Sequence, residues 1–192
     1  MTSVADVIDD FDVIGVDMPI GLPIDTSRHS DIEARKFLRP RGATVFATPP
    51  RACIDATDYA DACARARVAT GQAISIQAWN IVPKIKELDA AVTRELEHRV
   101  AEIHPECSFL LMNHTRPLDS KHIASGREQR VELIRRFFSV APVAPRGARL
   151  DDVLDAYAVL WSTERFACGE HLTMPANATH RDARGIAMRI VV

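Results

Sequence analysis

Residues 13–17, Val13-Ile14-Gly15-Val16-Asp17, form an apolar run that stops at a carboxylate. The next six residues, Met18-Pro19-Ile20-Gly21-Leu22-Pro23, contain two prolines and a glycine, so regular structure cannot continue through them. The pattern predicts a short buried strand followed by an irregular loop. Open α/β sheets place ligands at the carboxyl ends of their strands. An Asp at such an end can hold a metal or a substrate group while its backbone stays in the ladder. It can equally cap the loop by accepting nearby backbone N–H groups.

The rest of the chain alternates in the manner of an α/β domain. Val4, Val7, Ile8 and Phe11 recur at helical spacing and predict a short amphipathic helix before the strand. Ser30 with Glu33 three residues on reads as a capping box for a helix over 30–38, closed by Pro40 and Gly42. Residues 45–48 form a short strand or extended loop stopped by Pro49-Pro50, and 59–70 an Ala-rich helix ended by Gly71. A helical stretch over 75–100 begins at Ser75 as its cap, and Pro83 is expected to kink or restart it. A second strand over 100–104 ends in His104-Pro105-Glu106, and 108–112 give a helical turn or two. Helices follow over 126–139 and 151–167, the second capped by Asp151 or Asp152. Residues 186–192 close the chain as a strand in which Ile186, Met188 and Ile190 alternate.

With 192 residues, 47% of them hydrophobic, the chain reads as one domain, 1–192, with a proper core. A net charge of −2 and a pI near 6.4 do not suit a nonspecific nucleic-acid binder, so any such role needs a local basic patch. One candidate spans 116–136, where Arg116, Lys121, Arg127, Arg130, Arg135 and Arg136 face three acids. No apolar run approaches a membrane span, and the N-terminus does not read as a signal peptide, so a cytoplasmic location is expected. Cys53, Cys63, Cys107 and Cys168 are scattered and read as reduced thiols without zinc-type spacing. Cys107 reads as a small buried hydrophobe, and Trp79 and Trp161 as core residues.

Three groups of carboxylates could converge: Asp17 after the first strand, Glu106 after the second, and Asp151, Asp152 and Asp155 at the start of the last long helix. Acids in a first helical turn are favoured by the macrodipole, which accounts for Asp151 and Asp152. It does not account for Asp155, one turn further in among Val153, Leu154, Ala156 and Tyr157. If these groups meet, their repulsion raises their pKa values unless a cation neutralises them. Hard oxygen ligands select Mg²⁺ or Mn²⁺, and two such ions about 4 Å apart can activate water for phosphodiester hydrolysis. His104 is a candidate base, metal ligand or phosphate donor, and otherwise a loop hydrogen-bonder. Arg51, Lys84, Lys121, Arg127 and Arg130 are candidate phosphate contacts, with solvated surface charge the default for each. Lys121 and Arg127 flank a predicted helix start at Gly126, where backbone N–H groups would add to anion binding.

Several linked motifs give the chain a family resemblance: residues 13–23, Val45-Phe46-Ala47-Thr48-Pro49-Pro50-Arg51, Ser75-Ile76-Gln77-Ala78-Trp79 with Pro83-Lys84-Ile85, Ile103-His104-Pro105-Glu106-Cys107-Ser108-Phe109, and Asp151-Asp152-Val153-Leu154-Asp155-Ala156. In order and spacing they resemble the domain-of-unknown-function family numbered 429, described as predicted nucleases of ribonuclease H-like fold. The resemblance implies a ribonuclease H-like mixed sheet flanked by helices, with Asp17, Glu106, Asp152 and Asp155 as metal ligands and Mg²⁺ or Mn²⁺ as cofactor. Family members begin with a further strand, ending in Gly-x-Asp, and a hairpin. The sequence lacks both, so a shortened member, a downstream start or a sheet completed by another chain is expected. An exposed sheet edge would favour a homodimer.

The expectation is a metal-dependent nuclease or phosphodiester hydrolase acting on nucleic acid or a nucleotide. The alternative is a catalytically inactive nucleotide- or anion-binding module of the same fold. An ATP-dependent phosphotransferase is disfavoured, since no paired Gly-rich phosphate loops occur.

Overall fold

The computed structural model describes residues 4–192. Helix α1 (Val4–Val7) leads to strand β1 (Ile14–Val16). Helices α2 (His29–Phe37), α3 (Tyr59–Thr70) and α4 (Ile76–Ala91) precede strand β2 (Val100–Glu102). Helices α5 (Pro105–Met112), α6 (Ala124–Phe138) and α7 (Leu150–Cys168) follow, then the short strands β3 (Thr173–Met174) and β4 (Ile190–Val191). The architecture is mixed α/β and mostly helical.

The sheet component is smaller than the resemblance implies. β1 and β2 pair in parallel, with Ile14 opposite Val100, Gly15 opposite Ala101 and Val16 opposite Glu102. β3 and β4 pair antiparallel, and a single parallel bridge from Ile103 to Val191 stitches the two pairs together. The strand expected over 186–192 shrinks to two residues. The segment before it turns back on itself instead, with Arg181 bridging Ala187. α7 lies directly on β1: a Cβ at Gly15 would collide with Thr163 Oγ1 and approach Val159 Cγ1 to 3.0 Å. Only glycine permits this contact, which brings the start of α7 beside the end of β1.

The core between α5, α6 and α7 is built from Phe109, Met112, Leu133, Ile134, Leu154 and Ala158. Trp161 packs against it, and Cys107 is fully buried in the neighbouring cluster with Leu110 and Val192. Burying a Phe or Leu side chain stabilises by about 1.5–3 kcal/mol, which fixes α5 between its neighbours. Cys53 and Cys63 are also buried and free, and Cys168 is exposed and free.

Local signals hold where no buried charge competes. Ser75 Oγ accepts the Ala78 N–H at 3.1 Å and starts α4, which runs through Pro83 with that ring on its solvent side. α4 stops at Ala91, before the predicted limit, because Thr93 and the next residues form a separate turn of 3₁₀ helix over Arg94–Leu96. α7 starts at Leu150 without a side-chain cap, and Asp151 and Asp152 lie inside its first turn. At α2 the predicted capping box does not form. The helix starts at His29, and Ser30 is inside it, buried, with its hydroxyl unpartnered.

The cause is Arg28, which is 1% exposed. Its guanidinium donates to Glu102 Oε1 at 2.5 Å, to Asp31 Oδ1 at 3.0 Å and to the Ile20 and Gly21 carbonyls at 3.1 Å each. Burial opposes the charge, but Glu102 and Asp31 together outweigh that and hold the guanidinium protonated. This tie sets where α2 begins. Arg28→Met, which leaves two carboxylates buried and unpaired, is expected to destabilise the fold by about 3–5 kcal/mol in urea unfolding.

Candidate functional site

Because β1 and β2 run parallel, their carboxyl ends open on the same side. Asp17 leaves β1 there, and β2 runs through Ile103 into His104, the residue preceding α5. Pro105 occupies the first turn of α5, where its missing N–H costs nothing, and Glu106 follows it. Together with Asp155 and Lys121 these side chains line a cleft of about 420 Å³. The other walls come from Asp31, Arg41, Phe46 and Thr48, and Glu102 forms part of the floor.

Each of these carboxylates but one is paired with a cation, and Glu102 and Asp31 share theirs. Both oxygens of Glu106 accept from Arg130 Nη2, at 2.9 and 2.8 Å. Lys121 Nζ donates to Asp155 Oδ2 at 2.8 Å. Glu102 holds Arg28 and also accepts the Ile20 N–H at 2.7 Å. Asp31 holds Arg28 and accepts the Thr48 N–H at 2.9 Å. No ion pair joins Asp17 to a described residue. It is exposed at the cleft, and the protein crowded around it removes part of its hydration. That desolvation, then the charge of Asp155, pushes its pKa up to about 7, against the pull of Lys121.

The neighbours respond to the same field. Burial raises the Asp155 pKa, and Lys121 only partly offsets it. Asp155 Oδ1 is buried and has no hydrogen-bond partner. Burial lowers Lys121, but the hydrogen bond and charge of Asp155, with Glu106 and Asp17 behind, raise it overall. Burial lowers His104 more than Glu106 and the Thr44 backbone raise it, so its ring is neutral near pH 7; its Nδ1 is buried and unpartnered. Burial holds the Cys107 thiol high, far from a thiolate.

The other sequence candidates lie elsewhere. Asp152 is exposed and lines a second groove with Asp17 and Asp155, outside the cleft. Arg51 pairs with Asp89 at 2.9 Å and Asp182 at 2.5 Å and ties two loops to α4. Lys84 and Arg127 are exposed and are not among the residues lining the cleft. The phosphate contact expected of Arg130 gives way to a structural one. It is 0% exposed, donates also to the Gly126 carbonyl at 2.6 Å, and sits over the Phe109 ring. Gly126 is inside α6 rather than at its start, pressed against the Ser120 carbonyl. Sequence reasoning passed over Glu102, Asp31 and Arg41 as site residues. For Glu102 there was a signal, since an acid within a strand of buried apolar residues requires a partner.

Asp17 and Asp155 offer carboxylate oxygens, the donor type that hard divalent cations prefer. The four-carboxylate set does not fit as it stands, because Arg130 occupies Glu106 and Asp152 faces the groove. Among the described residues no three of His, Cys, Asp and Glu are grouped to hold a metal.

The raised Asp17 pKa has a consequence for stability. A carboxyl that binds its proton more tightly when folded adds stability that is fully present below about pH 4 and is lost as pH rises through about 7. Asp17→Asn removes the penalty. Relative to the parent, the variant is expected to be unchanged in urea unfolding at pH 4 and more stable at pH 8.

No match is found among curated proteins. None is found among solved structures. A family model described as Protein of unknown function (DUF429) matches residues 1–180, and the chain belongs to that family.

Proposed function

We propose that the protein is a phosphodiester hydrolase of ribonuclease H-like type, a nuclease assisted by Mg²⁺ or Mn²⁺. The observation that carries this reading is the Asp17–Asp155 pair. Two carboxyls with raised pKa values share the end of a parallel strand pair, and one of their oxygens is buried without a partner. A cation between them would lower the pKa of bound water and offset charge on the leaving oxygen. Asp17 and Asp155 would hold that cation, and Lys121, released from Asp155, would take a phosphate oxygen. Arg41, which lines the cleft 3.9 Å from Glu106, adds a second cation facing the phosphate. Neutral His104 can accept a proton from water. Glu106 and Arg130 act as a buried brace beneath them. With a net charge of −2 and few cations in the cleft, a nucleotide or a short single strand suits the site better than a long duplex.

The pairing of Glu106 with Arg130 and of Asp155 with Lys121 supports a second reading, an anion-binding module without catalysis. Calorimetric titration with Mn²⁺ separates the two. The hydrolase reading expects saturable binding below millimolar Mn²⁺, weakened at least tenfold in Asp17→Asn. It also expects Mn²⁺-dependent cleavage of a single-stranded oligonucleotide, lost in the same variant. Lys121→Met should keep the metal and lose oligonucleotide affinity. Phosphate binding with no heat at millimolar Mn²⁺ leaves the module.

A further inference from the structure

A second cavity, of about 560 Å³, lies on the other side of β1 from β2. Its floor is the β1 edge at Val13, Ile14 and Gly15, and its wall is one stripe of α7 that includes Ala156, Val159, Leu160 and Thr163. Among the described residues β1 pairs on one edge only. Ile14 N–H bonds to the Arg99 carbonyl at 2.7 Å, and Val16 O accepts the Ile103 N–H at 2.9 Å. Backbone direction alternates along a strand, so the N–H and C=O groups of Val13, Gly15 and Asp17 face the groove. Val13–Val16 contains neither a proline nor a lysine, two of the usual protections of an open edge. Phe11, 57% exposed, and Leu160, 44% exposed, flank the same groove.

Charge narrows the occupant. Asp10 and Asp12, both exposed, border Phe11 at one end of the groove, and Asp17, Asp152 and Asp155 line the other, the last of them paired with Lys121. Among the described residues no Lys or Arg lines it. Arg99, the nearby cation, is turned to the carbonyls of Ile8, Phe11 and Asp12. A second copy pairing through the same edge would set one acidic rim against another and be repelled. From Asp152 to Thr163 the α7 stripe runs about 16 Å at 1.5 Å per residue. That length matches about five residues of strand.

We propose that this groove accepts an extended peptide segment of about five residues, apolar at alternate positions and basic at both ends, which adds to β1 as a strand. Backbone hydrogen bonds to Val13, Gly15 and Asp17 give affinity, alternate apolar side chains cover Val159 and Leu160, and the basic ends meet Asp10 and Asp12 on one side and Asp17 and Asp152 on the other. The segment ends beside Asp17 and Asp155, which also line the cleft, so the bound strand forms part of its rim. The inference stands apart from the proposed chemistry, since it needs neither metal nor catalysis.

The probe is the blocked peptide acetyl-Lys-Ile-Thr-Ile-Lys-amide, titrated into the full chain by calorimetry and by amide NMR. One-to-one saturable binding is expected, with the Gly15 amide among the most shifted resonances. Replacing both Lys by Glu should weaken it at least tenfold, full backbone N-methylation should abolish it, and Leu160→Glu should weaken it while leaving the far-ultraviolet circular dichroism unchanged. Absence of saturation, equal affinity for the Glu-ended peptide, or binding that survives N-methylation would overturn the proposal. So would a dimer, seen in sedimentation, that Leu160→Glu dissolves, because it would give the groove to a second copy.

Discussion

The buried guanidinium of Arg28 organises the functional end of the molecule. It joins three parts of the chain that share no local signal: the loop after β1 through the Ile20 and Gly21 carbonyls, the end of β2 through Glu102, and the start of α2 through Asp31. Asp31 passes the constraint on to the Thr48 N–H and so to the wall that carries Phe46. A planar fork with five donors can satisfy such a set in one plane, which an ammonium cannot. The Gly- and Pro-containing loop has no secondary structure of its own to fix it. Its shape is therefore set largely by this one side chain and by Asp182, which accepts the Leu22 N–H from the other side.

Most carboxylates of the cleft are paired with cations. Glu106 and Arg130 cancel, Asp155 and Lys121 cancel, and Glu102 and Asp31 share Arg28. Buried pairs of this kind contribute little net stability, because desolvation offsets most of the attraction. They leave a single carboxyl, Asp17, without a matched partner among the described residues, and burial, then the charge of Asp155, pushes its pKa up to about 7. Perturbed groups in a cleft are where chemistry concentrates. Here the perturbation has a geometric origin, since the parallel pairing of β1 with β2 and the close approach of α7 over Gly15 put Asp17 and Asp155 side by side.

Much of this was readable from local pattern. The β1 run and its terminal Asp17, the bounds of α3, the Ser75 cap and most of α7 follow from hydrophobic periodicity and terminus chemistry. Asp155 stands out because its neighbours are apolar, and it lies in the cleft. What was not readable depends on contacts distant in sequence. Ser30 and Glu33 satisfy the capping pattern, yet a tertiary ion pair starts α2 a residue earlier. Arg130 looks like any surface arginine of a basic helix, and nothing in its spacing announces that Glu106, 24 residues away, draws it into the core. Arg51 is diverted in the same way by Asp89 and Asp182. The alternation over 186–192 suggested a full strand, but with so small a sheet only Ile190 and Val191 find a partner in β3.

The two sides of the cleft are fastened unequally. On one, Arg28 and Arg51 bolt the loop after β1 and the α4 region to carboxylates that are largely shielded from solvent. On the other, the segment between α5 and α6 that carries Lys121 is held by the half-buried Lys121–Asp155 pair, by Arg41 donating to the Leu118 carbonyl at 3.0 Å and by the buried Arg130 donating to the Asp119 carbonyl at 3.0 Å. Dissolved ions weaken exposed and half-exposed pairs far more than buried ones. Of all these ties, ionic strength therefore acts most on Lys121–Asp155. An anion entering the cleft would compete with Asp155 for the same ammonium, so dissolved salt and a charged guest would act on one and the same pair.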